Sequence, residues 1–162
     1  MTFDLQSLTG RYWRMLGIRW QRRPFESGSH LTGGRWNPVG RPALYLSADY
    51  NTAIQEMHQD LVRPGTLVAL DVRANAVADL SGADPRLLAN EWRRIYKLEG
   101  GTPPSWPLAE RLIAAGAEGA LVPSVQNRAG LNLVLWRWRD AERAGEGAAL
   151  TLLDPVGDLR PR

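Results

Sequence analysis

Apolar and polar positions recur along this chain in short blocks that predict strands and helices in turn. Tyr12, Trp13, Met15, Leu16, Ile18 and Trp20 crowd residues 11–20, consistent with an opening strand. Residues 21–42, rich in Arg, Gly, Ser and Pro, read as loops or short hairpin pieces. A second, short strand follows at Ala43-Leu44-Tyr45-Leu46-Ser47. Asp49, Asn51 and Thr52 come next, each able to accept a hydrogen bond from the free amides that open a helix. Ala53, Ile54, Met57 and Leu61 then recur at helical spacing, so the helix is expected to reach Leu61. Glu56 borders that apolar stripe, a position that suits a carboxylate in a cleft and an ordinary surface glutamate equally.

Beyond the Pro64-Gly65 turn, residues 66–72 read as a buried strand, residues 80–86 as a loop and residues 85–97 as a helix. A breaker-rich stretch at 100–107 leads into a helix over 107–115, stopped by Gly116. Residues 120–123 form a strand that ends at its proline, 124–130 a loop, and 131–136 another strand. A polar connector at 141–147 precedes a last strand over 148–153. With no internal repeat and no domain boundary, the pattern is a single mixed α+β domain over residues 1–162.

Composition narrows the function. At 162 residues, 44% apolar and 23% charged, the chain is ordinary for a soluble protein with one core. There is no cysteine, which excludes disulfides and thiolate metal sites. His30 and His58 are the only histidines and lack partners at ligand spacing, so no metal is expected. No basic segment precedes an apolar run at the N-terminus, and no stretch approaches the ~18 apolar residues of a membrane span, so a cytoplasmic location is expected. The pI of about 9.8 accompanies a net charge of only +3, because Arg outnumbers Lys. Clusters at Arg19, Arg22 and Arg23 and at Arg137, Arg139 and Arg143 suit phosphate, an acidic partner or plain solvated surface. Phosphate-binding P-loops, dinucleotide-binding glycine fingerprints and the Gly-x-Ser-x-Gly elbow are absent.

The most informative segment is Gly33-Gly34-Arg35-Trp36-Asn37-Pro38-Val39-Gly40. Its glycines let the backbone turn sharply and approach a ligand, Trp36 offers a flat apolar face, and Arg35 carries a planar fork suited to phosphate or carboxylate. Capping of loop carbonyls is the plainer role for Arg35. Together with Tyr45, with Ala53, Glu56 and His58, with Val122-Pro123-Ser124 and with Asn132-Leu133-Val134-Leu135, this segment resembles the RES domain. The family is named for an Arg, a Glu and a Ser, which fall here on Arg35, Glu56 and Ser124, and Arg14 matches a further family position. The resemblance is strongest over residues 10–136. Past Asn132 the chain runs into Trp136-Arg137-Trp138-Arg139, where many relatives have an Asn-Pro-like ending.

That resemblance implies the toxin of a bacterial type II toxin–antitoxin pair, with a split β-sheet core flanked by helices, like ADP-ribosyltransferases. It implies NAD⁺ as substrate, cleaved at the nicotinamide–ribose bond by phosphorolysis or hydrolysis, or used to ADP-ribosylate a protein. It implies an Xre-type helix-turn-helix antitoxin covering the cleft, no membrane, nucleic acid reached only through the antitoxin, and self-assembly left open. Glu56, Arg35 and Tyr45 are then the catalytic candidates, and Arg14, Arg35, Tyr45 and Ser124 the NAD⁺-binding ones. Plainer roles stand beside these: an ion pair for Arg14, core packing for Tyr45, a turn amide for Ser124, a backbone carbonyl for Asn132, packing or capping for His58. Rival readings are a nucleic-acid-binding module and an RNase-type toxin. Trp20 and Trp106 have no assigned role.

Overall fold

A computed structural model describes residues 2–59, 61–88 and 90–159. Its frame is the antiparallel pair β1 (Leu5–Gly17) and β3 (Gly65–Asp79), matched from Leu5↔Ala78 to Gly17↔Gly65 with an irregularity between Gln6 and Leu8. Both strands extend past their apolar blocks, because each supplies the other's backbone hydrogen bonds and so retains polar positions. Arg11 and Asp71 are one such pair, opposite in register and ion-paired at 3.0 Å. The chain leaves β1 through a 3₁₀ turn at Ile18–Trp20, so residues 18–20 are not strand.

Strand β5 (Leu131–Leu135) runs antiparallel to β2 (Leu44–Ser47) on one side and to β4 (Gly119–Pro123) on the other. β4 joins β3 in parallel through residues 77–79. On the same edge of β3, β7 (Ala148–Leu152) pairs antiparallel and carries β6 (Trp138–Asp140) in parallel beside it. β6 is too short for a sequence periodicity to reveal it. The seven-stranded order is β1-β2-β5-β4-β3-β7-β6, and β1 returns to β3. One joint is weak: β1 meets β2 only at Trp13↔Ser47. That joint and the short β3–β4 pairing divide the sheet into a β2-β5-β4 group and a β1-β3-β7-β6 group, the α+β arrangement anticipated from the sequence.

Period-two alternation sends neighbouring side chains to two cores. Leu44, Leu46, Leu133 and Leu135 point to one face, where they meet Leu70 and Val72 of β3 and Leu150 of β7. Val134, Ala120 and Val122 point to the other, with Tyr45 packed against them. There α4 (Ser105–Ala114) covers them with Leu108, Ala109 and Leu112. α4 starts two residues before Pro107, which its first turn accepts because an amide there has no helical acceptor. Gly116, at φ 97°, follows its C-cap.

α2 (Tyr50–His58) opens as expected on Asp49, whose Oδ1 accepts from the Thr52 amide at 2.8 Å. It stops before Leu61, at Gln59, the one non-glycine residue with positive φ (48°) among the described residues. A short α1 (Ser29–Thr32) interrupts the expected 21–42 loop. The helix expected over 85–97 is broken into α3 (Pro85–Leu88) and a π-helical turn at Arg94–Leu98. Asn90 accounts for the break. Its Nδ2 donates to Leu87 O and to Ser105 Oγ, and its carbonyl accepts from Arg35, bonds that compete with a continuous helix.

Candidate active site

The loop before β2 is fixed from several directions. The indole N–H of Trp106 donates to Gly34 O at 2.7 Å, the Ser105 hydroxyl donates to Arg35 O, and the indole N–H of Trp136 donates to Trp36 O at 3.0 Å. Three consecutive carbonyls are thus satisfied by side chains from elsewhere. Buried Asn37 places Nδ2 within 3.1–3.2 Å of the carbonyls of Ser29, Pro38 and Arg41. Tyr45 donates its hydroxyl to Asn37 Oδ1 at 2.7 Å and accepts from the Trp36 amide at 3.0 Å. Burial pushes the Tyr45 hydroxyl above its ordinary pKa, so it stays protonated and bound to the loop. A Cβ at Gly34 would lie 2.5 Å from Asn37 Oδ1 and 2.7 Å from the Tyr45 oxygen, which explains the glycine.

This loop presents Arg35 to a cavity of about 440 Å³ at the weak β1–β2 joint. β1 contributes Trp13 and Arg14, β2 Tyr45 and Ser47, α2 Glu56, and β5 Asn132. Trp92 and Arg93 line it from the segment between α3 and the π-helical turn.

Glu56 is held by one oxygen. Its Oε1 accepts from the Ser124 hydroxyl at 2.5 Å and from Asn132 Nδ2 at 2.7 Å, and the Ser47 hydroxyl donates to Asn132 Oδ1 at 2.8 Å. Ser124 Oγ accepts from the Asn127 amide at 3.0 Å; Asn127 Nδ2 donates to Thr52 Oγ1 at 2.9 Å, whose own proton goes to Asp49 Oδ2 at 2.8 Å. A polar chain therefore links the cap of α2 to the carboxylate two turns further along it. Among the described residues Oε2 accepts no hydrogen bond. One oxygen is tethered while the other has no described hydrogen-bond partner.

The guanidiniums have neutral partners. Arg14 donates Nη1 to Pro24 O at 2.8 Å, and burial pushes its pKa down to about 10. Arg35 donates Nη1 to Asn90 O. Burial lowers its pKa, the Glu56 carboxylate and, were it ionised, the Tyr45 oxygen act to raise it, and Arg93 lowers it further. Among the described residues neither Arg14 nor Arg35 forms an ion pair within 4.0 Å.

Four of the five candidate residues, Arg14, Arg35, Tyr45 and Glu56, line this cavity. Ser124 does not; it is 5% exposed, donates to Glu56 and also accepts from the Asn127 amide, the plainer turn role named for it. Trp36 departs from expectation: it borders the cavity, but at 1% exposed its ring is packed into the core and is not an open face. The Asn132 side chain engages Glu56 and Ser47, not a carbonyl. His58 Nε2 lies 3.2 Å from Arg63 O, and Trp106 gains a role as a loop anchor. Sequence reasoning missed Asn132, Ser47 and Arg93 as site residues. The first two had a signal: a polar residue in a short apolar strand needs a buried partner. Arg93 had none. Of the surface clusters, Arg23 pairs with Glu26, while Arg137 and Arg139 donate to the carbonyls of Ala117 and Arg143. Among the described residues no three His, Cys, Asp or Glu side chains could hold a metal ion, and no helix is long and apolar enough to cross a membrane.

Fold and site together define a class: a split-sheet α+β domain with one tethered carboxylate among guanidiniums. The sequence matches the family model of the RES domain over residues 11–153, and the chain belongs to that family. Among solved structures, a chain of the crystal structure of the M. tuberculosis MbcT–MbcA toxin–antitoxin complex is similar in fold, with a TM-score of 0.60. The identity is 18%, over 93% of this chain and 84% of that one. No curated protein matches the sequence.

Proposed function

We propose that this chain is the toxin of a bacterial type II toxin–antitoxin pair and consumes NAD⁺ by breaking the nicotinamide–ribose bond. The observation that carries the reading is Glu56, tethered through Oε1 and free of described partners at Oε2, in a cavity shared with Arg14 and Arg35. Bond cleavage sends its electron pair to the ring nitrogen and releases neutral nicotinamide. Positive charge then spreads over C1′ and the ring oxygen of the ribose, as in glycoside hydrolysis. A fixed carboxylate beside that sugar stabilises the charge and is suited to hold a ribose hydroxyl. Arg14 and Arg35 suit the anionic pyrophosphate, through charge-assisted hydrogen bonds. Tyr45, its hydroxyl already engaged, has its ring left to border the flat nicotinamide. Ser124 acts through Glu56 as a positioning residue.

The ribosyl cation is then captured by water, with loss of a proton, by inorganic phosphate, or by a nucleophilic side chain of a target protein. A helix-turn-helix antitoxin of the Xre type would silence the enzyme by covering the cavity. Fold similarity to a chain of a toxin–antitoxin complex supports an antitoxin partner, whatever its type. The test is turnover of NAD⁺ by the purified chain, with and without phosphate, reading nicotinamide release, the ADP-ribosyl product and label transferred to protein. Wild type is expected to release nicotinamide, and Glu56→Gln to do so on the order of 100- to 1000-fold more slowly. No nicotinamide release under any of these conditions would overturn the reading.

A further inference from the structure

We infer that Arg93 is a third anion-binding residue of the cavity, held by Gln59 in the free protein and released to the pyrophosphate of the dinucleotide. The inference rests on the NAD⁺ reading and deepens it.

The charge balance of the cavity is the first support. Its ionisable lining comprises Arg14, Arg35, Arg93, Glu56 and Tyr45, and the last stays protonated. Three guanidiniums face one carboxylate. The excess matches the two negative charges of a pyrophosphate diester, and a single phosphate contact would leave part of it unbalanced. Arg93 is close enough to Arg35 for its charge to act on it, so two like charges share this wall without an anion between them.

The second support is how loosely Arg93 is held. Its described side-chain hydrogen bond runs from Nη1 to Gln59 Oε1 at 3.3 Å, long and to a neutral acceptor. Its guanidinium lies 5.3 Å from the Trp92 ring centroid. A phosphate oxygen is a stronger acceptor than an amide, so exchange of Gln59 for the ligand is favourable.

The third support is the state of Gln59. It takes φ 48° and ψ −111° at the C-cap of α2, where its amide donates to Gln55 O at 2.8 Å. A non-glycine residue in such a conformation costs free energy that its surroundings must offset, and such residues gather at binding sites. Gln59 itself lines the cavity, one turn beyond Glu56. The Gln59–Arg93 contact thus joins the helix that carries the carboxylate to the wall opposite.

Calorimetric titration with ADP-ribose and with nicotinamide, alongside steady-state NAD⁺ kinetics, tests this on wild type, Arg93→Gln and Arg93→Lys. Arg93 is exposed, so neither substitution threatens the fold; thermal unfolding verifies it. One charge-assisted hydrogen bond at an exposed position corresponds to about a tenfold change in affinity. Arg93→Gln is therefore expected to weaken ADP-ribose and raise KM about tenfold, with a much smaller change in kcat and none in nicotinamide affinity. Arg93→Lys should recover part of the loss. Wild type that cleaves NAD⁺ with a KM indifferent to Arg93→Gln overturns this inference and leaves the cleavage reading intact. Wild type that binds ADP-ribose in an Arg93-dependent way but never releases nicotinamide supports the inference and sinks the cleavage reading. Equal weakening of nicotinamide and ADP-ribose overturns the assignment to pyrophosphate.

Discussion

Ser124 donates its hydroxyl to Glu56 Oε1 at 2.5 Å across 68 residues of sequence, and Asn132 reaches the same oxygen from the neighbouring strand. Loss of Ser124 therefore loosens the carboxylate without removing it. Glu56→Gln should slow NAD⁺ cleavage on the order of 100- to 1000-fold. Ser124→Ala should remove one hydrogen bond to a charged acceptor, about 1.5 kcal/mol or roughly tenfold in rate. In a double-mutant cycle, Ser124→Ala should cost almost nothing once Glu56 is Gln, because its effect passes through that carboxylate. Additive losses would show that Ser124 touches the substrate by itself.

Gly34 and Gly40 flank the same arginine but carry different demands. A methyl at Gly34 would meet Asn37 Oδ1 at 2.5 Å and the Tyr45 oxygen at 2.7 Å, whereas nothing lies within 4 Å of the corresponding point at Gly40. Gly34→Ala should force the Tyr45–Asn37 bond apart, lower stability by about 1–3 kcal/mol and shift Arg35 enough to reduce turnover. Gly40→Ala keeps the contacts but pays for its φ of 90°, about 1–2 kcal/mol, with activity retained. Urea unfolding and NAD⁺ turnover on both variants check the contrast. Equal activity in the two would mean that Gly34 does not position the site.

The strands and α2 were legible because their signals are local: alternation in Leu44–Ser47 and a cap at Asp49 need no tertiary information. The broken helix was not. The 85–97 segment has an unbroken apolar pattern, and the break comes from a carbonyl of Asn90 captured by an arginine 55 residues away. The site was half legible. Arg35, Tyr45 and Glu56 sit in recognisable motifs, whereas Arg93 lines the cavity from the broken segment and belongs to no motif. Trp36 was misjudged because an aromatic beside glycines looks available to a ligand, yet its carbonyl and ring are both taken up by the core.

Tyr45 should leave a mark on alkaline stability. Burial raises its pKa above the ordinary tyrosine value of about 10, so the folded state favours the protonated form more than the unfolded state does. The resulting stability is fully present below pH 10 and declines as pH rises beyond it. Wild type should lose denaturant resistance as pH rises above about 10, and Tyr45→Phe should lose less over the same range. Tyr12, also raised by burial, leaves a residual slope in the variant. At neutral pH Tyr45→Phe should be weaker by about 1–3 kcal/mol, having left Asn37 Oδ1 and the Trp36 amide without their partner. Identical pH profiles would remove the hydroxyl from this account.

Arg14 sets stability against binding. Arg14 as a whole is half-buried, but its guanidinium lies deeper, with Pro24 O as its described hydrogen-bond partner, and burial pushes its pKa down to about 10 from 12.5. The charged form is therefore disfavoured in the folded chain relative to the unfolded one, so at neutral pH this charge works against folding in the absence of a ligand. Arg14→Met keeps most of the side-chain length and removes the charge; the lost bond to Pro24 O cancels part of the gain. A net gain of about 1 kcal/mol, or roughly 2–4 °C in Tm, is expected for the free protein. The gap between variant and wild type should be widest below about pH 10, where the wild-type arginine is charged, and narrow above it. Binding of ADP-ribose should fall in the same variant by about 100-fold, the worth of a partly buried charge-assisted contact. Thermal unfolding and calorimetry on one preparation read both effects. A variant that is both less stable and equally able to bind ADP-ribose would show that Arg14 is a structural residue, placed in this cavity to hold the Pro24 loop.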